Sequence, residues 1–298
     1  MRVFVTGASG FIGSAVVPEL LRAGHQVTGL ARSDASAAAL VAAGAEVQRG
    51  DLNDLDSLRA GAAAADGVVH LAYNHDFSQM GAAAQTDRAA LEAIGDALAG
   101  TEYPLVFASG VIGMTPGHVA TEHDAPSAGL HPRVATAAAA LALASRGVRV
   151  MSMRFAPTVH GEGDYGFMHT IAQIARQKGV SGYVGDGENR WPAVHRLDAA
   201  TLVRLGLERG VAGSSLHAVA EESVRLREVA EVIGRHLNLP VVSVPADQAA
   251  EHFGWMGMFI GADSPVSSAL TREWMGWTPT HPGLLADLNE GHYFQTLA

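Results

Sequence analysis

Three glycines are spaced three apart in Val3-Phe4-Val5-Thr6-Gly7-Ala8-Ser9-Gly10-Phe11-Ile12-Gly13. A stretch of this kind can hold phosphate. Gly7 can turn the chain sharply after an apolar run, where positive φ costs glycine little. Gly10 has no Cβ to keep a pyrophosphate off the backbone, and Gly13 lets the next helix pack close. Ser9, Phe11 and Ile12 complete the candidate cradle, because a helix opening here presents free N–H groups and a positive dipole end. Downstream, Arg32-Ser33-Asp34 ends the next apolar run. In an α/β dinucleotide site an acid at that place holds a ribose 2′-OH, whereas a guanidinium and a hydroxyl suit a 2′-phosphate. Arg32 and Ser33 therefore favour NADP(H) over NAD(H). Asp34 either serves the ribose or caps the following helix.

A third group is Tyr73-Asn74-His75-Asp76-Phe77, which is rich in polar and aromatic side chains. It follows the run at 67–72, and ligands bind outside the carboxyl ends of parallel strands. His75 can donate a proton with Asp76 orienting it. The ordinary alternative is a helix start capped by Asp76. The fourteen histidines show no His-x-x-x-His or His-Glu-x-x-His spacing, and His118, His123 and His131 only share a loop. No metal is expected.

These groups need a scaffold. Strands are expected at 2–6, 26–31, 45–48, 67–72, 104–108, 148–155 and 215–220. Helices are expected at 11–23, 35–43, 78–99, from 133, 165–178, 198–208 and 225–237. Alternating strands and helices imply a doubly wound parallel α/β sheet. Asp198 is expected to cap the helix it opens. The apolar run 255–260 can line a pocket or a subunit contact, with core packing preferred. Trp274 and Trp277 are expected to pack inward in a closing helical segment.

The length of 298 residues allows one large α/β unit, or a main domain with a smaller one. A net charge of −10 argues against nucleic acid or an anionic membrane as partner. The absence of cysteine removes disulfides, thiolate metal sites and a cysteine nucleophile. No signal peptide or apolar run of about 18 residues is seen, so a cytoplasmic protein is expected.

The wording Thr-Gly-x-x-Gly-x-x-Gly resembles the extended and atypical short-chain dehydrogenases/reductases, many of them described as NAD-dependent epimerase/dehydratase. Gly29 to Asp34, Gly185 to Arg196 and His252 to Trp255 resemble an atypical subgroup. The resemblance implies a Rossmann sheet of order 3-2-1-4-5-6 plus a seventh strand. It implies a nucleotide domain over 1–156 and a smaller substrate part over 157–298, with about 195–220 returning to the sheet. Asp51 and Leu52 would lie against the adenine, although Asp51 also suits a plain turn. Leu71, Ala72 and Tyr73 would pass under the ribose and nicotinamide, with Ala108 and Pro157 also at the cofactor. Ser109 would bind the reacting substrate oxygen. Arg190 and Trp191 would face the substrate side.

The chain departs from the family at its acid. Relatives carry Tyr-x-x-x-Lys; here Arg133 stands at the tyrosine position and Ala137 at the lysine position, and the only lysine is Lys178. His160 likewise replaces a family tyrosine. Arg133 is kept among the catalytic candidates, and proton donors remain open among His75, Tyr165, His160 and His195. The leading expectation is an NADP(H)-dependent reductase of a small carbonyl or imine compound. The alternatives are an epimerase, isomerase or lyase that does not consume its cofactor, and a non-enzymatic NADP(H) sensor. A homodimer is the family habit.

Overall fold

The structure, a computed structural model, describes the whole chain except residues 77–78, 113, 115–116, 127–131 and 296–298. Phe77 and His131 therefore lie outside the described residues. The first half alternates β1 (Arg2–Thr6), α1 (Gly13–Arg22), β2 (Gln26–Ala31), α2 (Asp34–Ala42), β3 (Glu46–Arg49) and α3 (Leu55–Ala63). It continues with β4 (Gly67–His70), α4 (Met80–Leu98), β5 (Pro104–Gly110), α5 (Pro132–Leu141) and β6 (Arg149–Phe155). Then follow β7 (Thr158–His160), α6 (Phe167–Lys178), β8 (Ser181–Val184), β9 (Arg190–His195), α7 (Arg196–Arg209) and β10 (Ser215–Ala218). The chain goes on through β11 (Glu221–Arg225), α8 (Leu226–Leu237), β12 (Val241–Val244) and short helical segments.

Seven strands form one parallel sheet in the order β3-β2-β1-β4-β5-β6-β10. This is the expected Rossmann order with β10 as the seventh strand. Period-two alternation explains why both faces are covered. Val3 and Val5 of β1, Val69 of β4, Val106 of β5 and Met151 and Met153 of β6 point to the face packed by α1, α2 and α7. Phe4, Val68, Leu105, Phe107 and Val150 point to the face packed by α3, α4 and α5. Each such side chain contributes about 1.5–3 kcal/mol when fully buried, so a one-residue slip in any strand would exchange the two faces and is strongly opposed.

The second half adds two small sheets that the sequence does not announce. One has the order β11-β9-β7, and in the other β12 pairs parallel with β8. Around them α6 and α8 close a separate apolar cluster over Trp191, Ile233 and Phe253. Met256 and Ile260 belong to that cluster, while Trp255 is 39% exposed. The run 255–260 is thus part core and part surface.

Three local expectations change. Ser33, not Asp34, caps α2: its extended backbone lets its hydroxyl accept the Ser36 N–H at 3.1 Å. His195 caps α7 by accepting the Leu197 N–H, and Asp198 sits inside the first turn. The Asp198 carboxylate accepts the Thr280 and His281 N–H groups instead. Trp277 is buried, but Trp274 is 41% exposed, because Thr271 and Met275 take the inner face of their helix.

A cofactor-sized cleft at the carboxyl ends of the strands

A cleft of about 1370 Å³ runs across the carboxyl ends of β1, β2, β4, β5 and β6. That exceeds an ordinary small-ligand pocket of roughly 300–1,000 Å³, so it has room for a dinucleotide and a small second molecule.

The glycine turn forms its floor. Gly7 has φ +67°, and a Cβ there would lie 2.6 Å from the Ala72 nitrogen. A Cβ on Gly13 would lie 2.1 Å from the Gly7 carbonyl oxygen. Both positions are closed by backbone. Gly10 differs: its missing Cβ would meet the Gly7 oxygen at 3.2 Å and the Tyr165 hydroxyl at 3.7 Å. Ser9, Gly10, Phe11 and Ile12 line the cleft here, and the donors at the start of α1 suit a pyrophosphate.

At one end the walls are Arg32, Ser36, Gly50, Asp51, Leu52 and Asn53. Ser33 is not among the described lining residues, since its hydroxyl is committed to the α2 cap. Asp34 pairs with Arg49 at the end of β3. Asp51 accepts the Asn53 N–H at 2.7 Å, which shapes the turn while leaving Asp51 on the wall.

At the other end lie Leu71, Ala72, Tyr73, His75, Ala108, Ser109, Arg133, Ala137, Pro157, Asp164 and Tyr165. A buried polar chain sets their positions. The Thr6 hydroxyl and His70 Nδ1 are 2.9 Å apart, and His70 Nε2 meets Asp87 Oδ1 at 3.1 Å. Arg133 Nε donates to Asp87 Oδ2 at 3.2 Å, and its Nη2 donates to the Ala108 carbonyl at 2.9 Å. The guanidinium carbon then stands 3.9 Å from the centre of the Tyr73 ring. Burial alone would raise the Asp87 carboxyl, but hydrogen bonds from His70 and Arg133 hold it below its ordinary value. Burial pushes the Tyr73 phenol up, opposed by the Arg133 charge. Desolvation by the cleft walls, together with Arg133, lowers the His75 imidazole.

His75 meets Tyr73 edge-on at 5.2 Å. Asp76 accepts from Gln79 Nε2 at 3.0 Å, next to the start of α4. Asp164 was not foreseen. Burial raises its carboxyl, whose oxygens accept the Gly166 N–H at 2.6 Å and the Tyr293 hydroxyl at 3.1 Å. Its signal was faint: an acid inside Gly161-Glu162-Gly163-Asp164-Tyr165-Gly166. Asp87 was more legible, since Ala83, Ala84, Ala90 and Leu91 place it on the apolar face of α4. A carboxylate on such a face requires partners.

Neither His160 nor His195 is among the described residues lining the cleft. His160 is buried, with Nδ1 3.0 Å from Asp287. His195 stacks on His281 at 4.8 Å, and burial with its neighbouring imidazoles lowers it to about 4. Arg190 is paired with Asp263 at 2.8 Å, and Trp191 is fully buried. Asp287, Glu290 and His292 bring ligand-type atoms within 4.8 Å of one another, near His160 rather than the cleft. No helix among the described residues is long and apolar enough to cross a membrane.

The fold agrees with the comparisons. The model of the NAD dependent epimerase/dehydratase family matches residues 3–219, and the chain belongs to that family. An uncharacterized protein of Schizosaccharomyces pombe is 48% identical over 295 residues, covering 99% of this chain and 100% of that protein. An uncharacterized protein of Saccharomyces cerevisiae is 44% identical over 295 residues, covering 98% and 99%. Among solved structures, MoeE5 in complex with UDP-glucose and NAD superposes with a TM-score of 0.73 at 23% identity, covering 97% of this chain and 96% of that one. That likeness is one of fold.

Proposed function

We propose that the protein is an NADP(H)-dependent oxidoreductase that reduces a small carbonyl or imine compound. The observation that carries this reading is the contrast between two adjacent charges. Arg32 lines the cleft where an adenosine ribose would lie, while the Asp34 carboxylate is spent on Arg49. A guanidinium facing the cleft suits a 2′-phosphate, and an acid turned to solvent beside Arg49 is a poor partner for a 2′-OH. The glycine turn and the α1 N-terminus would hold the pyrophosphate, with Asp51 and Leu52 at the adenine. Leu71, Ala72, Ala108 and Pro157 would lie along the other half of the dinucleotide. When bound, the nicotinamide supplies or accepts a hydride.

The protein's own part is to place a substrate oxygen or nitrogen and to protonate it. Ser109 Oγ offers a hydrogen bond at the end of β5. Tyr73 Oη is the proton donor this geometry favours. A phenol that gives up its proton needs a nearby cation, and Arg133 is packed on the ring face for that. Asp87 and the Ala108 carbonyl fix that cation in place, so the protein need not reorganise as the charge develops. His75 edges the Tyr73 ring.

The test is to mix purified protein with NADPH and a panel of small aldehydes, ketones and cyclic imines, following loss of the reduced nicotinamide. Stoichiometric consumption with formation of alcohol or amine supports the reading. Interconversion of a sugar nucleotide such as UDP-glucose without net loss of cofactor would replace it with an epimerase. Tight NADPH binding without turnover on either panel would favour a sensor.

A further inference from the structure

The Tyr165 hydroxyl accepts the Phe11 N–H at 3.0 Å. This N–H belongs to the glycine turn at the start of α1, the element read above as the pyrophosphate cradle. Two other donors of the turn are bonded within it: the Gly10 N–H goes to the Gly7 carbonyl and the Ser14 N–H to the Gly10 carbonyl. Phe11 is thus a donor of the turn whose acceptor comes from a distant segment, 154 residues along the chain. The hydroxyl oxygen also lies 3.7 Å from the point where a Gly10 Cβ would stand. It borders the space that the absent side chain opens.

We infer that Tyr165 is an internal competitor for the pyrophosphate site: a phosphate oxygen takes the Phe11 N–H only as the Tyr165 hydroxyl leaves it. This rests on the reading of the cleft as a dinucleotide site. One N–H makes one well-formed hydrogen bond, and both acceptors must reach the same Phe11 N–H beside Gly10. An anionic oxygen wins because its hydrogen bond is charge-assisted and lies at the positive end of a helix.

The surroundings of Tyr165 are built for such an exchange. Its side chain is 67% exposed and rests edge-on against the Phe11 ring at a centroid distance of 6.0 Å. Little apolar burial is lost when it turns away. The backbone on either side is held. Asp164, just before it, is anchored by Tyr293, and the Gly166 N–H just after it is bonded to Asp164. The motion is therefore a rotation of the Tyr165 side chain, not an opening of the segment. Tyr165 acts on the cofactor's phosphates through the Phe11 N–H, a different role from that of the proton-delivering pair of Tyr73 and Arg133.

The test is Tyr165→Phe, which removes the hydroxyl and leaves the ring. NADPH binding is followed by nicotinamide fluorescence at equilibrium and by stopped-flow mixing. The expected result is tighter binding by about 2- to 10-fold, the worth of one net hydrogen bond, with the gain in the association rate. Tyr165→Ala, which also removes the ring, should associate at least as fast. Unchanged affinity in Tyr165→Phe would overturn the inference. So would weaker binding, which would make the hydroxyl a contact to the phosphate. If the unaltered protein binds neither NADPH nor NADH, the dinucleotide reading itself fails, and the inference with it.

Discussion

Arg133 joins Tyr73 to the buried carboxylate of Asp87. Its guanidinium carbon is 3.9 Å from the ring centre, and its Nε is 3.2 Å from Asp87 Oδ2. One cation thus faces a phenol on the cleft side and an anion on the core side. The arrangement separates two roles that substitutions can pull apart. Tyr73→Phe keeps the ring and the cation–π contact but loses the proton. It should retain fold stability within about 1 kcal/mol and bind NADPH normally. Turnover should fall by roughly 10²–10⁴. Turnover at the unaltered rate would remove Tyr73 from proton delivery.

Arg133→Met should behave differently. It leaves Asp87, whose side chain is only 2% exposed, with His70 as its remaining side-chain partner. A loss of about 1–3 kcal/mol is expected in urea unfolding. Turnover should fall as well, because the Tyr73 phenolate loses its cation. A variant as stable as the parent would show that the pair with Asp87 contributes little.

The three glycines should divide by what surrounds them. Gly10→Ala places a methyl in the cleft, 3.2 Å from its nearest backbone atom. It should cost at most about 1 kcal/mol of stability but weaken NADPH binding by roughly tenfold or more, since about 1.4 kcal/mol is a factor of ten. Gly13→Ala would drive a methyl to 2.1 Å from the Gly7 oxygen, so it should lose stability outright, by about 1–3 kcal/mol. Equal effects on folding at both positions would argue against Gly10 as the open face of the cradle.

How far such positions were legible depends on the range of the interactions that define them. The strands of the main sheet and the helices facing it follow from local periodicity, the sheet order from the family resemblance, and the glycine turn from its own spacing. The strands β7, β8, β9, β11 and β12 escaped notice because they are short and pair across long separations, as Val241 does with Ser181. Arg133 could be read only as a missing tyrosine. Its meaning comes from Tyr73, Asp87 and Ala108, which three other elements bring to it. Tyr165 reads as the start of a helix, but Asp164 takes the Gly166 N–H and delays that helix to Phe167.

His195 gives the protein an acid-side weakness. Its folded value is lowered to about 4, chiefly by burial, against about 6.5 when unfolded. The unfolded chain therefore binds the proton more tightly, and stability is lost as pH falls from about 6.5 towards 4. His195→Asn keeps a capping side chain but does not titrate. Urea midpoints between pH 7 and pH 4 should fall less steeply in the variant. Parallel profiles would show that His195 does not contribute.

The proposed selection of a 2′-phosphate rests on Arg32. It is tested most directly by titrating the protein and Arg32→Ala with NADPH and NADH, following nicotinamide fluorescence. The unaltered protein should prefer NADPH. Arg32→Ala should lose about 1.5–3 kcal/mol of NADPH affinity, roughly 10- to 100-fold, while NADH binding stays nearly constant. Equal loss for both cofactors, or a preference for NADH in the unaltered protein, would contradict the account.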